Sequence, residues 1–406
     1  MEKKLQYLLI YIVLLFHRSQ ITNWYEDKLL IIALLLSLFI IIYYNMKLNI
    51  KVLIGIGILA ILQLIICVYT NNSLSIPSVL NTIILCIITY ISIEFNKEEF
   101  LNRLVKTIVF LAAVSLIGFI VWNSPLESIL VKIVPTISNG VDYYGTTYGG
   151  VLYHHIPNYY RNVGIYREPG LYQIVLSVGL FIVLYFNNIK LKRAKRIVYS
   201  IILILTLITA QSTTGYISLI ILLLGYLIVG NDIYIKRIVS MACLSIVVAT
   251  ALVFAIQGQD NFIQKNLFSK IQINKYSGGF KDGTGRARTI MMKIDFDVLK
   301  EKPLGLGYDD YLQRWKSKKY TLHETSSAVG LSIMLCVYGV IVGTIIVMMC
   351  PIFMILRIKN IGKALILVAV YFNTILAQPT IFFPIFMMFL FLYDLDERGY
   401  YESCSI

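Results

Sequence analysis

The run LLIIALLLSLFIIIYYNM, residues Leu29–Met46, contains no Asp, Glu, Lys or Arg. At about 1.5 Å per residue, a helix of this length crosses most of the roughly 30 Å of hydrocarbon in a bilayer. A helix also makes its backbone hydrogen bonds internally, which lipid requires because it offers no partners. This stretch therefore predicts a membrane-spanning helix.

Similar apolar runs recur along the whole chain. Of its 406 residues, 58% are hydrophobic and only 14% are charged, a composition that excludes an ordinary soluble domain. We therefore predict an all-α, polytopic integral membrane protein with about 12 (10–12) transmembrane helices. The predicted spans are Leu5–Phe16, Leu29–Met46, Val52–Tyr69, Ile76–Ile93, Val105–Trp122, Leu171–Phe186, Ile197–Ala210, Tyr216–Gly230, Ile238–Ile256, Ser327–Met348, Ala364–Leu376 and Ile381–Tyr393.

Long connections divide these spans into groups. The first five predicted spans occupy residues 1–122, and a first large loop covers residues 123–169. Four spans follow in residues 170–256, and a second large loop covers residues 257–325. The last three spans occupy residues 326–393, and residues 394–406 form a tail.

The distribution of Lys and Arg predicts the orientation of the chain. Cytoplasmic connections carry an excess of both residues. The short connections at residues 71–75, 211–214 and 377–380 hold none, whereas residues 190–196 alone hold five. We therefore predict that both termini are cytoplasmic, that the N-terminal segment is a retained anchor and that both large loops are extracytoplasmic. Arg18 and Lys28 are exceptions to the pattern, since they fall in a predicted outer connection.

The net charge of +14 is not explained by topology alone. Residues 257–325 hold thirteen Lys or Arg against eight Asp or Glu. A basic extracytoplasmic loop suits anionic lipid headgroups or a lipid-linked phosphate, and solubility of the loop is the alternative explanation. Nucleic acid is not expected as a partner. None of the six cysteines lies in a predicted outer loop, so neither a disulfide framework nor a zinc cluster is expected.

The first large loop ends in RNVGIYREPG, Arg161–Gly170. Arg161 and Arg167 are six residues apart, so both side chains point to one side in an extended strand and diverge in a helix. Pro169 favours the start of a helix just after them. Two guanidinium groups beside a helix N-terminus suit phosphate oxygens, and interfacial snorkelling is the alternative.

The same loop is rich in aromatic side chains. Its tyrosines either stack on sugar rings or belong to the interfacial aromatic belt, and the belt is the favoured interpretation for most of them. The adjacent His154 and His155 lack the spacing and companion ligands of a metal site, so no metal is predicted. The tyrosines are Tyr143, Tyr144, Tyr148, Tyr153, Tyr159 and Tyr160.

The second large loop contains apolar residues at helical spacing, which predicts an amphipathic helix over Arg286–Glu301. Arg286 and Arg288 fall in its first turn, where the helix dipole disfavours cations unless an anion or solvent compensates. KPLGLGY, Lys302–Tyr308, ends the helix. Its lone GxG has no βαβ context or Walker lysine, so no nucleotide site is predicted.

This loop closes with LHETSSAVG, Leu322–Gly330, immediately before a predicted span. His323 is expected at the same interface as the arginines, and its ordinary pKa range suits proton transfer near neutral pH. The alternative is a structural histidine. Glu324 would either orient the imidazole or interact favourably with the following helix N-terminus.

Taken in order, the chain has RNVGIYREPG (Arg161–Gly170), GRARTIMMKIDFDVLKEKPLGLGY (Gly285–Tyr308), the loop-end His323 and YGVIVG (Tyr338–Gly343). This order, within spans arranged around two large loops, resembles the O-antigen polymerase and O-antigen ligase superfamily of bacterial membrane glycosyltransferases. The layout of spans extends the resemblance over nearly the whole chain.

The resemblance implies a GT-C-like enzyme in the bacterial cytoplasmic membrane. It implies that the enzyme polymerises O-antigen or capsule repeat units, without metal or cofactor, by transferring a glycan from undecaprenyl diphosphate to a lipid-linked repeat unit at the outer face. Its partners would be the lipid-linked donor and acceptor, the bilayer, a chain-length regulator and a flippase. The resemblance assigns diphosphate binding to Arg161, Arg167, Arg286 and Arg288, and proton transfer to His323 or, less favoured, Glu168.

Two other functions stay open. A ligase that moves a finished glycan onto a lipid or protein acceptor shares the donor chemistry. A transporter or flippase is disfavoured, because such proteins commonly place ionisable residues at mid-membrane and show repeated halves. Here the predicted spans have almost no ionisable residues at their centres, and the polar groups gather at the outer surface.

Overall fold

The computed structural model describes residues 1–70, 75–137, 146–149, 152–156, 160–186, 189, 191–237, 239–241, 283–318, 327–378 and 382–392. Most of these residues are helical. The helices are α1 (Glu2–Leu15), α2 (Gln20–Tyr43), α3 (Ile50–Tyr69), α4 (Ser75–Glu94), α5 (Lys97–Trp122), α6 (Glu127–Ile133), α7 (Pro169–Tyr185), α8 (Arg193–Ala210), α9 (Thr213–Val229), α10 (Gly283–Glu301), α11 (Gly307–Lys318), α12 (Gly330–Arg357), α13 (Ile361–Ile375) and α14 (Pro384–Phe391).

The apolar helices make this a multi-pass membrane protein. Among the described residues, α3, α5 and α12 are long and apolar enough to cross a bilayer. Shorter apolar helices are α7, α9, α13 and the part of α4 from Val79 to Glu94. Each predicted span within the described ranges coincides with a helix, while the predicted Ile238–Ile256 lies almost entirely outside them. The total number of spans stays a prediction.

The helices of the bundle extend between two ends. At one end, Asn373 Nδ2 of α13 donates to Thr214 O of α9 at 2.9 Å. We call it the Arg167 end, because α1 and α8 finish there and α2, α7 and α9 begin there. At the opposite end, Gln6 Nε2 of α1 donates to Ser92 O of α4 at 2.9 Å. Which end faces the cytoplasm stays a prediction.

Helix α7 forms the centre of the bundle. Every residue from Leu171 to Tyr185 is buried. A helix that is apolar on all sides needs neighbours on all sides, and α7 packs against α5, α8, α9 and α13. The residues at its N-terminus are therefore held on a rigid support.

A small antiparallel sheet corrects the all-α prediction. Its strands are β1 (Thr136–Ile137), β2 (Thr146–Tyr148) and β3 (Tyr153–His155), in the order β1-β2-β3. The rings of Tyr148 and Tyr153 lie 4.2 and 5.8 Å, centroid to centroid, from the ring of Trp122. Both tyrosines are buried, so they pack against α5 and belong to neither a sugar platform nor an aromatic belt.

The prediction of a helix over Arg286–Glu301 is confirmed by α10. The turn after it fits into a break in α12 at Gly339, whose φ is 77°. Leu306 N donates to Cys336 O at 3.0 Å, and Val340 N donates to Pro303 O at 2.8 Å. A Cβ on Gly305 would lie 2.7 Å from Gly339 N, so the glycines permit close backbone packing.

Candidate functional site

The N-terminus of α7 carries two charged side chains of the predicted site. Glu168 is the N-cap residue and has an extended backbone, and Pro169 follows at the first helical position. Arg167 Nη1 donates to Asn23 Oδ1 at 3.0 Å, and Arg167 Nη2 lies 3.7 Å from Glu168 Oε1. The side chains of Arg167 and Glu168 are 38% and 54% exposed, so both remain accessible to a ligand.

Arg288 reaches the same group from α10. Its Nη2 donates to Ala377 O, after the end of α13, at 3.2 Å. Burial lowers the pKa of Arg288, and the negative charge of Glu168 opposes that shift. Glu168 therefore interacts with arginines from two separate parts of the chain, and the structure brings Arg167, Glu168 and Arg288 together.

Asp295 anchors the helix that carries Arg288. Its carboxylate accepts hydrogen bonds from Tyr311 Oη at 2.9 Å and from Ser332 Oγ at 2.5 Å, and it is completely buried. Burial raises the pKa of Asp295, and the hydrogen bond from Ser332 is the first of several that oppose the rise. Asp295 follows Arg288 by two helical turns, so anchoring Asp295 also fixes the direction of the arginine face.

Sequence analysis did not single out Asp295. The available signal was an acidic residue within the apolar face of an amphipathic helix, next to Ile294 and between Met291 and Val298. All three of these neighbours are buried. A carboxylate in that position requires hydrogen-bond donors from elements that pack against the helix.

Arg161 occupies a different place at the Arg167 end. Its Nη2 donates to Gln211 O at 2.5 Å and its Nε to Ala210 O at 3.4 Å. These carbonyl groups end α8, where helical partners are absent. Gln211 has a left-handed backbone, with φ at 51°. Arg161 therefore caps α8 and supports the α8–α9 turn.

A chain reversal separates the two arginines that the sequence paired. Gly164 has φ at 59°, and its N donates to Asn162 Oδ1 at 3.0 Å, which forms a tight turn. The segment from Arg161 to Arg167 is therefore not an extended strand, so the same-side placement that a strand would give does not apply. Gly164 is also close to the Tyr172 ring, since a Cβ on Gly164 would lie 2.7 Å from it.

Beyond this reversal, an isolated antiparallel bridge joins Ser19 to Tyr166. Gln20 N also donates to Ile165 O at 3.1 Å. The bridge brings Arg18, which precedes Ser19, near Arg167, which follows Tyr166. Desolvation by the surrounding protein lowers the pKa of Arg18 and the charge of Arg167 lowers it further, while part of the Arg18 side chain stays exposed.

The remaining predicted residues are less fully described. Arg286 lies in the first turn of α10, and its side chain is outside the described part of the structure. His323 and Glu324 are outside the described residues. Their roles stay predictions.

The arrangement suits an anion. Arg18, Arg167 and Arg288 gather at one place against Glu168 and Glu26, both of which interact electrostatically with Arg18. Guanidinium groups remain protonated and offer forked donors that match phosphate oxygens. The first turn of α7 adds the positive end of its helix dipole.

The fold defines a multi-pass membrane protein, and its described part has a group of arginines at one end of the helices. The O-antigen ligase family model matches residues 198–329. This segment runs from α8 to the residue before α12, and it includes Arg286, Arg288, Asp295 and His323. The resemblance to the O-antigen polymerase and ligase superfamily is thereby confirmed. Arg161, Arg167 and Glu168 precede the matched segment, and no curated protein matches the chain.

Proposed function

We propose that this protein is a polysaccharide polymerase of the bacterial cytoplasmic membrane. It transfers a growing glycan from undecaprenyl diphosphate to a lipid-linked repeat unit at the outer face. The observation that carries the proposal is the meeting of Arg167 and Arg288 beside the α7 N-terminus, in a chain whose residues 198–329 match the O-antigen ligase family model. Both termini are then cytoplasmic, and the Arg167 end is extracytoplasmic.

The chemistry follows from where charge develops. The bond between the anomeric carbon and the diphosphate oxygen breaks, and the acceptor hydroxyl oxygen forms a new bond to that carbon. Arg167 and Arg288 stabilise the departing undecaprenyl diphosphate, whose negative charge grows in the transition state. Arg286 adds to this group from the first turn of α10. Arg161 supports the site from the α8–α9 turn.

The acceptor hydroxyl must lose a proton in this reaction. His323 accepts that proton in our proposal, as the resemblance implies. Glu168 is the second choice, because it already interacts with Arg167 and Arg288 and so orients both guanidinium groups. No metal or cofactor enters the proposed reaction. A flippase would supply the substrates, and a chain-length regulator would limit the product.

One observation favours a second function. The family model that matches residues 198–329 is described as O-antigen ligase, and a ligase uses the same donor. The two functions differ only in the acceptor. A polymerase extends a lipid-linked repeat unit many times, whereas a ligase moves the glycan once onto a different lipid or protein.

The test incubates the purified full chain with an undecaprenyl-diphosphate-linked oligosaccharide and separates the products by size. A polymerase produces a ladder of repeats. Addition of a lipid or protein acceptor distinguishes a ligase, which then forms one glycosylated product and no ladder. An unchanged substrate in both reactions would contradict both functions. As a control, Lys28→Ala should give the same products as the wild type, since it removes an exposed cation of α2 outside the arginine group.

A further inference from the structure

The α1–α2 turn places an arginine where its charge is unfavourable. Ser19 forms the bridge to Tyr166, and its side chain also accepts a hydrogen bond from Thr22 N at 3.2 Å, which starts α2. These contacts fix the turn directly after Arg18. Like charges that are held near one another repel. The protein nevertheless holds Arg18 near Arg167.

The backbone of Arg18 adds a second cost. Its φ is 59°, in the left-handed region. A non-glycine residue is strained there, and glycine would make the same turn without strain. His17 and Ser19 are buried, while Arg18 is exposed. The residue with the strained backbone, Arg18, is thus the one whose side chain a ligand can reach.

Carboxylates compensate only part of the positive charge. Glu26 and Glu168 both interact with Arg18 electrostatically. In the described parts of the chain, no salt bridge within 4.0 Å involves Arg18, whereas Arg167 has one with Glu168. Three arginines therefore face two carboxylates, and an anion between Arg18 and Arg167 would remove the repulsion.

The surroundings favour an anion that is attached to lipid. Helix α2 begins directly after Arg18 and exposes a series of large apolar side chains. Such a surface faces lipid in a membrane protein. A diphosphate on a polyprenyl chain can reach Arg18 from that side while its chain stays in the hydrocarbon. The exposed residues are Ile31, Ile32, Leu35, Leu38, Phe39 and Ile42.

We infer that Arg18 is a further anion-binding residue, which grips the diphosphate of a polyprenyl-linked substrate near Arg167. The inference rests on the proposed function and deepens it. The α1–α2 turn then belongs to the donor site, although it lies far from the matched segment in sequence. Arg18 is an exception to the predicted distribution of Lys and Arg, because it falls in a predicted outer connection. A role in anion binding explains its position there.

The test measures binding of undecaprenyl diphosphate to the purified full chain in detergent, with Arg18→Gln and Arg18→Gly compared with the wild type. We expect each variant to bind about tenfold more weakly, because one charge-assisted contact is lost. Arg18→Gly also relieves the backbone strain, so its thermal stability should equal or exceed that of the wild type. Weak binding in a stable variant separates a ligand contact from a folding defect. Lys28→Gln is the matched control and should bind normally.

Two further probes distinguish the source of the phosphate. Inorganic diphosphate and phosphatidylglycerol vesicles should each compete weakly with undecaprenyl diphosphate. Equal competition by inorganic diphosphate would overturn the assignment to a lipid-linked substrate, and equal competition by the vesicles would assign Arg18 to a general lipid headgroup. Normal binding by both Arg18 variants, with binding lost in Arg167→Ala, would overturn the inference and leave the proposed function intact. A wild type that does not bind undecaprenyl diphosphate would contradict both.

Discussion

Two turns at the Arg167 end each receive an arginine from the segment between residues 161 and 167. At the α8–α9 turn, Arg161 donates to the carbonyl oxygens of Ala210 and Gln211. At the α1–α2 turn, Arg167 lies near a second cation, Arg18. Arg161 donates to hydrogen-bond acceptors that the protein itself provides. Arg167 instead lies near another positive charge.

In our proposal, this difference separates a structural arginine from a ligand-binding one. The two look equivalent in sequence, since both follow the same loop and precede the same helix. What differs is the compensation available in the folded chain. A guanidinium group that caps a helix needs no ligand, whereas a repelling pair is stabilised by an anion.

The largest effect is expected from Arg167→Ala. It removes a donor to the leaving diphosphate, so we expect activity on a lipid-linked oligosaccharide to fall by about 100-fold or more. Thermal stability should change little, because the Arg167 side chain is 38% exposed. The measurement is the rate of ladder formation by the purified variant. Wild-type rates would remove Arg167 from the donor site.

A smaller but still large effect is expected from Gly164→Ala. The left-handed φ and the close Tyr172 ring both oppose a Cβ, so the free energy of unfolding should fall by about 2–4 kcal/mol. The reversal that separates Arg161 from Arg167 should be disturbed as well. Thermal unfolding in detergent checks the first expectation. Gly149→Ala is a useful control, because it has a similar φ of 61° and an ordinary contact distance of 3.5 Å to Leu152.

Arg161→Ala should have a moderate effect on stability. Loss of the cap on α8 leaves partly buried carbonyl groups without a donor, so we expect a loss of about 1–3 kcal/mol. Activity per folded molecule should fall much less than in Arg167→Ala. Thermal unfolding and single-turnover rates measure the two quantities separately. If Arg161→Ala were as inactive as Arg167→Ala and equally stable, the contrast between the two turns would be wrong.

The smallest effect concerns His17, beside Arg18. The His17 ring is buried against Phe383, at 4.6 Å between centroids, and burial followed by the charge of Arg18 lowers its pKa to about 3. Below the ordinary pKa of about 6.5, the unfolded chain binds a proton that the folded chain rejects. Stability should therefore fall as pH drops from about 6.5 towards 3, by up to about 1.4 kcal/mol per pH unit.

Melting temperatures of the wild type and His17→Gln between pH 7 and pH 5 test this expectation. The variant should depend less on pH, because it lacks the buried imidazole. His154 and His155, whose pKa values burial lowers to about 4, should maintain part of the dependence in both proteins. Identical pH dependence would show that His17 does not titrate on unfolding.

The helices were largely predictable, and the small sheet was not. Long apolar runs of residues identify helices such as α3 and α5, because lipid permits few other backbone structures. Strands β1 to β3 have only two or three residues each, which is too short for an alternating pattern. Their tyrosines therefore suggested an aromatic belt, while the structure buries Tyr148 and Tyr153 against Trp122.

The candidate site was predictable only in part. Arg167 and Arg288 were singled out because cations near a helix N-terminus favour an anion, and the structure brings both to Glu168. Arg161 was grouped with them on its spacing from Arg167 and on the family resemblance, and the turn at Gly164 lies between the two arginines. Asp295 and Arg18 were missed as parts of the same region. Asp295 lies within the apolar face of an amphipathic helix pattern. Arg18 was treated as an exception to the distribution of Lys and Arg that predicts orientation.

The sequence by itself determined the membrane environment, most helix positions and the arginines available to the candidate site, because these depend on composition and on spacing along the chain. Only the tertiary structure decided which charges meet. The bridge between Ser19 and Tyr166 and the hydrogen bond from Arg288 to Ala377 O join segments far apart in sequence. Helix packing and the left-handed backbone of Gly164 create these contacts. No local pattern of residues encodes the distance between the segments that meet.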